Sequence, residues 1–589
     1  MRYVSRVWPL WLAIAGLTVH VAARGATPSA FDRRCIQSGC VAPPSNIPEI
    51  ATPPRKPRAA GAPVLGRRAL SSGVPSAAAA LGWSSGRIAA LGATMDLHDG
   101  LLAAQAPARS SAAAAKSTLR QVAYIKASNP GEEDHFGHAI ALSGDGNTLA
   151  VGTPMESSAA TGINGKGENE PGDSSGAVYV YSRNGTRWAQ QAYIKASNAG
   201  SDDQFGFAVT LSGDGNTLAV SAPYEDSAAT GVNGNQADNS MPNSGAVYVF
   251  SRTGSTWSQQ AYVKASNTGE TDEGDEFGYA ISLSGDGNTL AVGAIGEDSA
   301  AKGINGNQAD NSANGAGAVY MFTRSGGTWA QQAYVKSSNT ARNIMYGYSV
   351  SLSANGDTMA VGEFDADRGR GALYVLTRSS STWSQQARLQ ASNAEPQDSM
   401  GCWVAISDDG NTIAAGSLDE DSLLTGIQPP DAGANDEKTD KSAGAAYVFV
   451  RNGTSWSQQA FIKASNTGED DWFGLHLALS GDGNTLAVGA SNEDSVAQGI
   501  NGKQDDNSAD EAGAVYFFTR TGTTWRQEYY VKGSNNRKFD EFGSALALSR
   551  DGRTMAVGAH FQSGGAKGVN GNEADMSVPK SGAAYVFVR

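Results

Sequence analysis

The chain has 589 residues with 44 Lys and Arg against 58 Asp and Glu, a formal charge of −14. Residues 1–120 carry 14 basic against 4 acidic side chains, +10, which leaves 30 against 54, −24, for residues 121–589. So acidic a body argues against a nucleic-acid partner, and its length exceeds one ordinary core unless the chain is an array of repeated sheets.

The N-terminus has the pattern of an export signal over residues 1–23: Arg2 and Arg6 precede an apolar stretch from Val7 to Ala23, with small residues at Ala22, Ala23 and Ala26. This predicts a secreted, periplasmic or cell-surface protein. No later apolar run is long enough to cross a bilayer as a helix, so no transmembrane span is expected after cleavage. Residues 24–118 are rich in Pro, Ala, Ser and Gly, from Pro43-Pro44 to the run Ala112–Ala115. Without a period of 2 or 3.6 they cannot bury enough apolar surface to offset chain entropy, and they read as a disordered linker with a brief helix from Ser84 to Ala104. Cys35 and Cys40 could close a small loop in an oxidising compartment. Asp32-Arg33-Arg34 before Cys35 is not the small apolar context of a lipidated cysteine.

Repeats fill residues 119–589. The turn glycines Gly146, Gly215, Gly287, Gly356, Gly410, Gly483 and Gly552 mark seven copies, spaced by 69, 72, 69, 54, 73 and 69 residues. Each copy offers four strands: one after a Phe-Gly pair, as in Phe136–Leu142; one after a Gly-Asp-Gly-Asn hairpin, Thr148–Gly152; a third of the type Gly176–Tyr181; and a fourth, Trp188–Ala196, whose alternation fits a half-exposed edge. Cys402 falls on a first strand as a small buried residue. A repeat of this length holding four strands is a propeller blade, and the copy number predicts an all-β, seven-bladed β-propeller. The copies begin with an orphan fourth strand, Gln121–Ser128, and stop after a third, Gly582–Val588, so the N-terminal strand should complete the last blade and remove its open edge.

Phe205-Gly206 followed by Leu218-Ala219-Val220-Ser221-Ala222-Pro223 resembles the FG-GAP repeat of the integrin α-chain propeller and its bacterial relatives. The resemblance implies ligand binding and adhesion, often with calcium in acidic turn loops. The hairpin here departs from that pattern, because Leu142–Thr148 keeps one carboxylate where Ca²⁺ takes about six to eight oxygens. The same hairpin is similar to the Asp-box of sialidases, with Ser143, Asp145, Gly146 and Thr148 as matches, a device in which Asp and Thr satisfy turn amides.

Three other features are candidates for function. The loop between the second and third strands, about 20 residues long, gathers oxygen donors: Glu225, Asp226, Asn233, Asn235 and Asp238; Glu297, Asp298, Asn305, Asn307 and Asp310; Glu493, Asp494, Asn501 and Asp505; and partly Asn570, Asn572 and Asp575. Such loops could hold Ca²⁺, or their Asx side chains could simply cap local turns. Asp134, Asp203, Asp275, Asp398, Asp471 and Asp540, each at the entry to an innermost strand, could ring the channel mouth and attract cations, or again cap turns. Trp188, Trp257, Trp329, Trp383, Trp456 and Trp525 recur at one position, suited to packing between blades or to stacking on sugars.

No nucleophile with a partnered base, phosphate loop or Cys/His metal spacing stands out, so neither catalysis nor an organic cofactor is expected. The expectation is an exported, non-catalytic binding or adhesion propeller that engages an extracellular protein or glycan. A glycosidase-like propeller and a structural envelope protein are the alternatives.

Overall fold

The computed structural model describes residues 118–166, 173–269, 274–430, 432 and 441–589; the signal, linker, helix and Cys35–Cys40 expectations lie outside them. Seven antiparallel sheets form the blades, each pairing first, second, third and fourth strands in order. Blade 1 is Ala139–Leu142, Thr148–Thr153, Ala177–Asn184 and Arg187–Ile194, and blades 2 to 6 repeat it through Val531. Blade 5 adds a short strand, Ile427–Gln428, outside its fourth. Blade 7 takes Ala545–Leu548, Thr554–Ala559 and Ala583–Val588 from the C-terminal end and Arg120–Ile125 from the start of the repeats. Tyr124 stands opposite Tyr585 in that pairing, their rings 5.4 Å apart, so the clasp closes the ring as expected.

The residue pattern follows from blade stacking. Each second strand, such as Thr217–Ala222, is buried along its whole length because neighbouring blades cover both faces of the sheet. Crowding there explains the paired glycines. A methyl group on Gly152 would stand 2.1 Å from the carbonyl oxygen of Gly206 in the next blade, and one on Gly558 would stand 2.1 Å from that of Gly137 across the clasp. Only a bare backbone fits such an approach.

The tryptophans lock blades together. Trp257 Nε1 donates to Gln191 of the preceding blade at 2.8 Å, Arg252 donates to the same oxygen at 3.1 Å and lies 5.2 Å from the indole, and its other terminal nitrogen reaches Thr148 Oγ1 at 3.1 Å. Trp329, Trp383, Trp456 and Trp525 repeat this contact with Gln260, Gln332, Gln386 and Gln459. The Asp-box comparison needs one correction. Ser143 and Asp145, rather than Thr148, hold the turn amides, at 2.9 Å each, and the threonine hydroxyl serves the neighbouring blade's arginine.

Candidate functional site

The antiparallel order places the strand entries and the long loops on one face of the disc and the Gly-Asp-Gly hairpins on the other. On the loop face, the structure gives the predicted metal donors another use. The Glu225 carboxylate is buried, and its oxygens accept from Lys264 Nζ at 2.8 Å, Tyr262 Oη at 2.7 Å, Asn198 Nδ2 of the preceding blade at 2.9 Å and the Ser227 amide at 3.1 Å. Glu156–Lys195, Glu297–Lys336, Glu420–Lys463 and Glu493–Lys532 repeat the ion pair. Blade 7 substitutes Gln562, which accepts from Lys126 at 3.0 Å.

The rest of the loop folds back along its own blade's outer edge. Val232 bridges Val263, and Asn233 Oδ1 accepts from the Tyr262 amide at 3.0 Å, as Asn305 does from Tyr334 and Asn501 from Tyr530. The loop thus covers an edge that would otherwise present unpaired amides. Asp226 accepts from the Asn243 amide, Asp298 from Gly315 and Asp494 from Glu511. Asn235, Asn307, Asp238 and Asp310 each accept from an amide two residues on. Asp505 is a misplacement: Asp506 makes that turn bond, to Ser508, and Asp505 is exposed. Among the described residues no three His, Cys, Asp or Glu side chains come together closely enough to hold a metal.

The strand-entry aspartates are buried turn caps, and this corrects the view of an open charged ring. Asp134, Asp203, Asp398, Asp471 and Asp540 each accept from the amide three residues earlier, at 2.5–2.9 Å. Asp275 is buried in the same position. Burial pushes Asp275 and Asp398 up to about 8 and the other four up to about 7. A carboxyl that stays protonated when folded but ionises near pH 4 when unfolded stabilises fully below pH 4, and that stability is lost as pH rises towards 8. Asp398→Asn, which keeps an acceptor oxygen, is expected to flatten the fall in melting temperature between pH 6.5 and 8 relative to the parent, a comparison in which the histidines common to both chains cancel. Identical slopes for the variant and the parent would refute this.

The channel itself was not legible as a site. Its hairpin end is closed by seven backbone hydrogen bonds running from blade to blade: Gly144 to Gly213, Gly213 to Gly285, Asp286 to Ala354, Ala354 to Asp408, Asp408 to Gly481, Gly481 to Arg550 and Arg550 to Gly144, at 2.8–3.2 Å. Arg550 lies across this ring. It pairs with Asp408 at 2.6 Å, and its guanidinium would stand 2.6 Å from a methyl group on Gly285.

The loop-face end is lined by aromatic and imidazole rings. The residue before each Phe-Gly position has positive φ in all seven blades, from 50° at Met345 to 59° at His135. The tight turn that follows re-aims the next side chain in the manner of a bulge. His138, Phe207, Tyr279 and Tyr348 occupy that position in successive blades, with centroids 5.2–5.3 Å apart and planes turned by 46–49° at each step. Blade 5 has a wider irregularity, and Trp403 there lies 4.3 Å from His476 of blade 6. His560 closes the circuit 5.7 Å from His138, with its Nδ1 2.7 Å from Ser544 Oγ and its Nε2 3.6 Å from Glu541. Burial pushes His138 down to about 4 and His476 down to about 3, so these imidazoles are neutral at pH 7.

A family model described as the FG-GAP repeat matches residues 119–181, 188–250 and 456–518, three segments that each run from a fourth-strand position to the next third strand. The chain carries FG-GAP repeats over these three segments. No curated protein matches it. Among solved structures it is similar to a protein described as a 6-phosphogluconolactonase from Bacteroides uniformis, at 10% identity and a TM-score of 0.40, covering 67% of this chain and 85% of that one. It is also similar to Kuenenia stuttgartiensis hydrazine synthase, at 12% identity and a TM-score of 0.40, covering 74% and 94%. The FG-GAP repeats bear out the fold expected from the sequence, a propeller suited to a binding or structural role.

Within this FG-GAP propeller, the buried Lys–Glu pairs had one signal in the sequence: a lysine follows the fourth strand in six of the seven repeats, at Lys126, Lys195, Lys264, Lys336, Lys463 and Lys532. A charge repeated at a buried strand end needs a partner repeated with it. The channel residues had a weaker signal, a ring directly after the aromatic-Gly pair in four successive repeats, at His138, Phe207, Tyr279 and Tyr348.

Proposed function

We propose that this FG-GAP propeller is an exported, non-catalytic binding protein that engages an extracellular protein or glycan on its loop face. The observation that carries the proposal is where apolar surface is left uncovered. Trp403, Leu423, Ile427, Val496, Phe539 and Met576 are the exposed large hydrophobic side chains among the described residues, and all six sit at strand entries or in long loops of blades 5 to 7. Apolar side chains concentrated on one sector of an otherwise polar face suit a partner. The repeated acidic donors suit scaffold work, so engagement is proposed to run through the apolar sector, with calcium a condition to be tested.

The test is binding of the purified chain to extracellular proteins and glycans, with and without a chelator. Saturable binding is expected, weakened at least about ten-fold by Val496→Ser combined with Met576→Ser, two exposed positions whose replacement leaves the core intact. Failure to bind any such target under either condition overturns the proposal.

The Ser544, His560 and Glu541 constellation does not favour a hydrolase. The Gly543 and Ser544 amides are spent on the Gly558 and Glu541 carbonyls, which takes both out of use as oxyanion donors.

A further inference from the structure

We infer that the outer edge of blade 4 is a binding site for an extended peptide segment of a partner protein, with a β-branched residue between Gly and Asn, that pairs antiparallel with residues 387–390 as a further strand. The site lies on the rim of the disc, so the inference goes beyond the loop-face partner and does not depend on it.

Six blades already carry such a segment. Isolated antiparallel bridges join Ile163 to Ile194, Val232 to Val263, Ile304 to Val335, Ile500 to Val531 and Val569 to Ile125, and blade 5 pairs Ile427 with Ile462. In five of the six the segment reads Gly, Ile or Val, Asn, Gly, at residues 162–165, 231–234, 303–306, 499–502 and 568–571. In blade 2 the Asn233 amide donates to the Tyr262 carbonyl at 2.7 Å, the Tyr262 amide to Asn233 Oδ1 at 3.0 Å, and the Lys264 amide to the Gly231 carbonyl at 2.8 Å.

Blade 4 lacks the segment. Residues 364–371 join its second and third strands, where blade 2 uses residues 223–245, and its sheet ends at the fourth strand, Thr382–Leu389. Tyr374 stands opposite Arg388 as Tyr248 stands opposite Tyr262, so the two blades share a register. The amide and carbonyl of Arg388 and the amide of Gln390, which correspond to those of Tyr262 and Lys264, have no backbone partner on the outer side among the described residues. Residues 261–264 are buried, whereas residues 387–390 are all partly exposed. Asp367 in the short connection accepts from the side chains of Arg388 at 2.6 Å and Gln390 at 2.9 Å, which serves those side chains and leaves their backbone open.

An unpaired edge is a template for an extended chain, whose main-chain bonds give affinity and whose side chains give selectivity. The belt of covering segments runs round the rim and is broken at blade 4, so the chemistry seated in the sister blades defines what fits the gap. A β-branched residue would lie opposite Leu389, as Val232 lies opposite Val263. The Asn would make two bonds to Arg388, and the preceding Gly, at φ of 69–73° in those five blades, lets the chain turn in towards the edge. A second copy of this chain would offer Thr382–Leu389, which contains neither Gly nor Asn.

Hydrogen exchange on the unaltered chain, alone and with a synthetic peptide copying residues 227–236, tests the inference. Alone, the Arg388 and Gln390 amides are expected to exchange at least about ten-fold faster than those of Tyr262 and Lys264. The peptide is expected to saturate one site per chain and to slow both amides, and the peptide carrying Asn233→Pro, which loses the donor and the side-chain acceptor, to bind at least about ten-fold more weakly. Grafting residues 225–244 in place of 366–370, together with Gln390→Lys, covers the edge from within the chain and should abolish binding. Equal exchange at the blade 2 and blade 4 positions, no saturation, equal affinity for the Pro peptide, protection away from residues 387–390, undiminished binding to the folded graft, or a dimer that protects the same amides in place of the peptide would each overturn it. The exchange and peptide comparisons use the unaltered chain, so they stand even if the graft does not fold.

Discussion

Lys264→Met is expected to lower the unfolding free energy by about 3–5 kcal/mol, because it leaves the Glu225 carboxylate buried without its cation. Both side chains are almost wholly shielded from water, at 0% and 1% exposure, so solvent cannot take the place of the lost partner. The cost falls on two blades, since Asn198 of blade 1 donates to the same carboxylate and in turn accepts from Tyr248 Oη at 2.6 Å. Glu225→Gln should be milder, because blade 7 already runs this arrangement with Gln562 against Lys126.

Burial lowers Lys126 to about 7, and Lys264 facing a glutamine should follow it. Between pH 7 and 10 the unfolded chain would then hold a proton that the folded lysine has released, so the stability of Glu225→Gln rises relative to the parent across that window. Guanidinium unfolding at pH 7 and 9 measures both effects. A midpoint for Lys264→Met equivalent to less than 1 kcal/mol, or a Glu225→Gln deficit that does not shrink at pH 9, would refute the account.

Removing residues up to Asn129 should abolish cooperative folding of the ring. The deletion strips blade 7 of its outer strand and with it the buried side chains of Tyr124, Ile125 and Lys126. It also removes Asn129, which donates to Glu156 at 3.0 Å and accepts from Tyr179 at 2.7 Å in blade 1. Two large apolar side chains at about 1.5–3 kcal/mol each, with the lysine and its hydrogen bonds, sum to roughly 10 kcal/mol, comparable with the whole stability of an ordinary domain. The shortened chain is expected to melt without a sharp transition, and a synthetic peptide spanning Leu119 to Asn129 should restore one. A shortened chain that melts as sharply and as high as the parent would show that the clasp is dispensable.

The fold could be read from the sequence because its determinants are local and repeated. Gly-Asp-Gly hairpins, Phe-Gly entries and alternating fourth strands each state their element within a few residues, and an orphan fourth strand at one end with a missing one at the other states the closure. The tryptophans were open to two uses, and the structure gives five of them a glutamine partner in the preceding blade. The acidic loops stayed open to two readings because a run of Asp, Asn and Gly looks the same whether its oxygens face a metal or the chain's own amides. Which of these holds is set by Lys264, 39 residues from Glu225, and by the strand edge against which the loop lies.

By itself, then, the sequence determined the blade, the number of blades and the manner of closure, since each depends on contacts short in sequence or on a count. Only the tertiary structure decided what the buried charges do, which end of the channel Arg550 obstructs, and that His138, Phe207, Tyr279, Tyr348 and Trp403 come together. Those residues belong to different blades, and only a circular array brings to one axis side chains that stand about 50 to 70 residues apart in the chain.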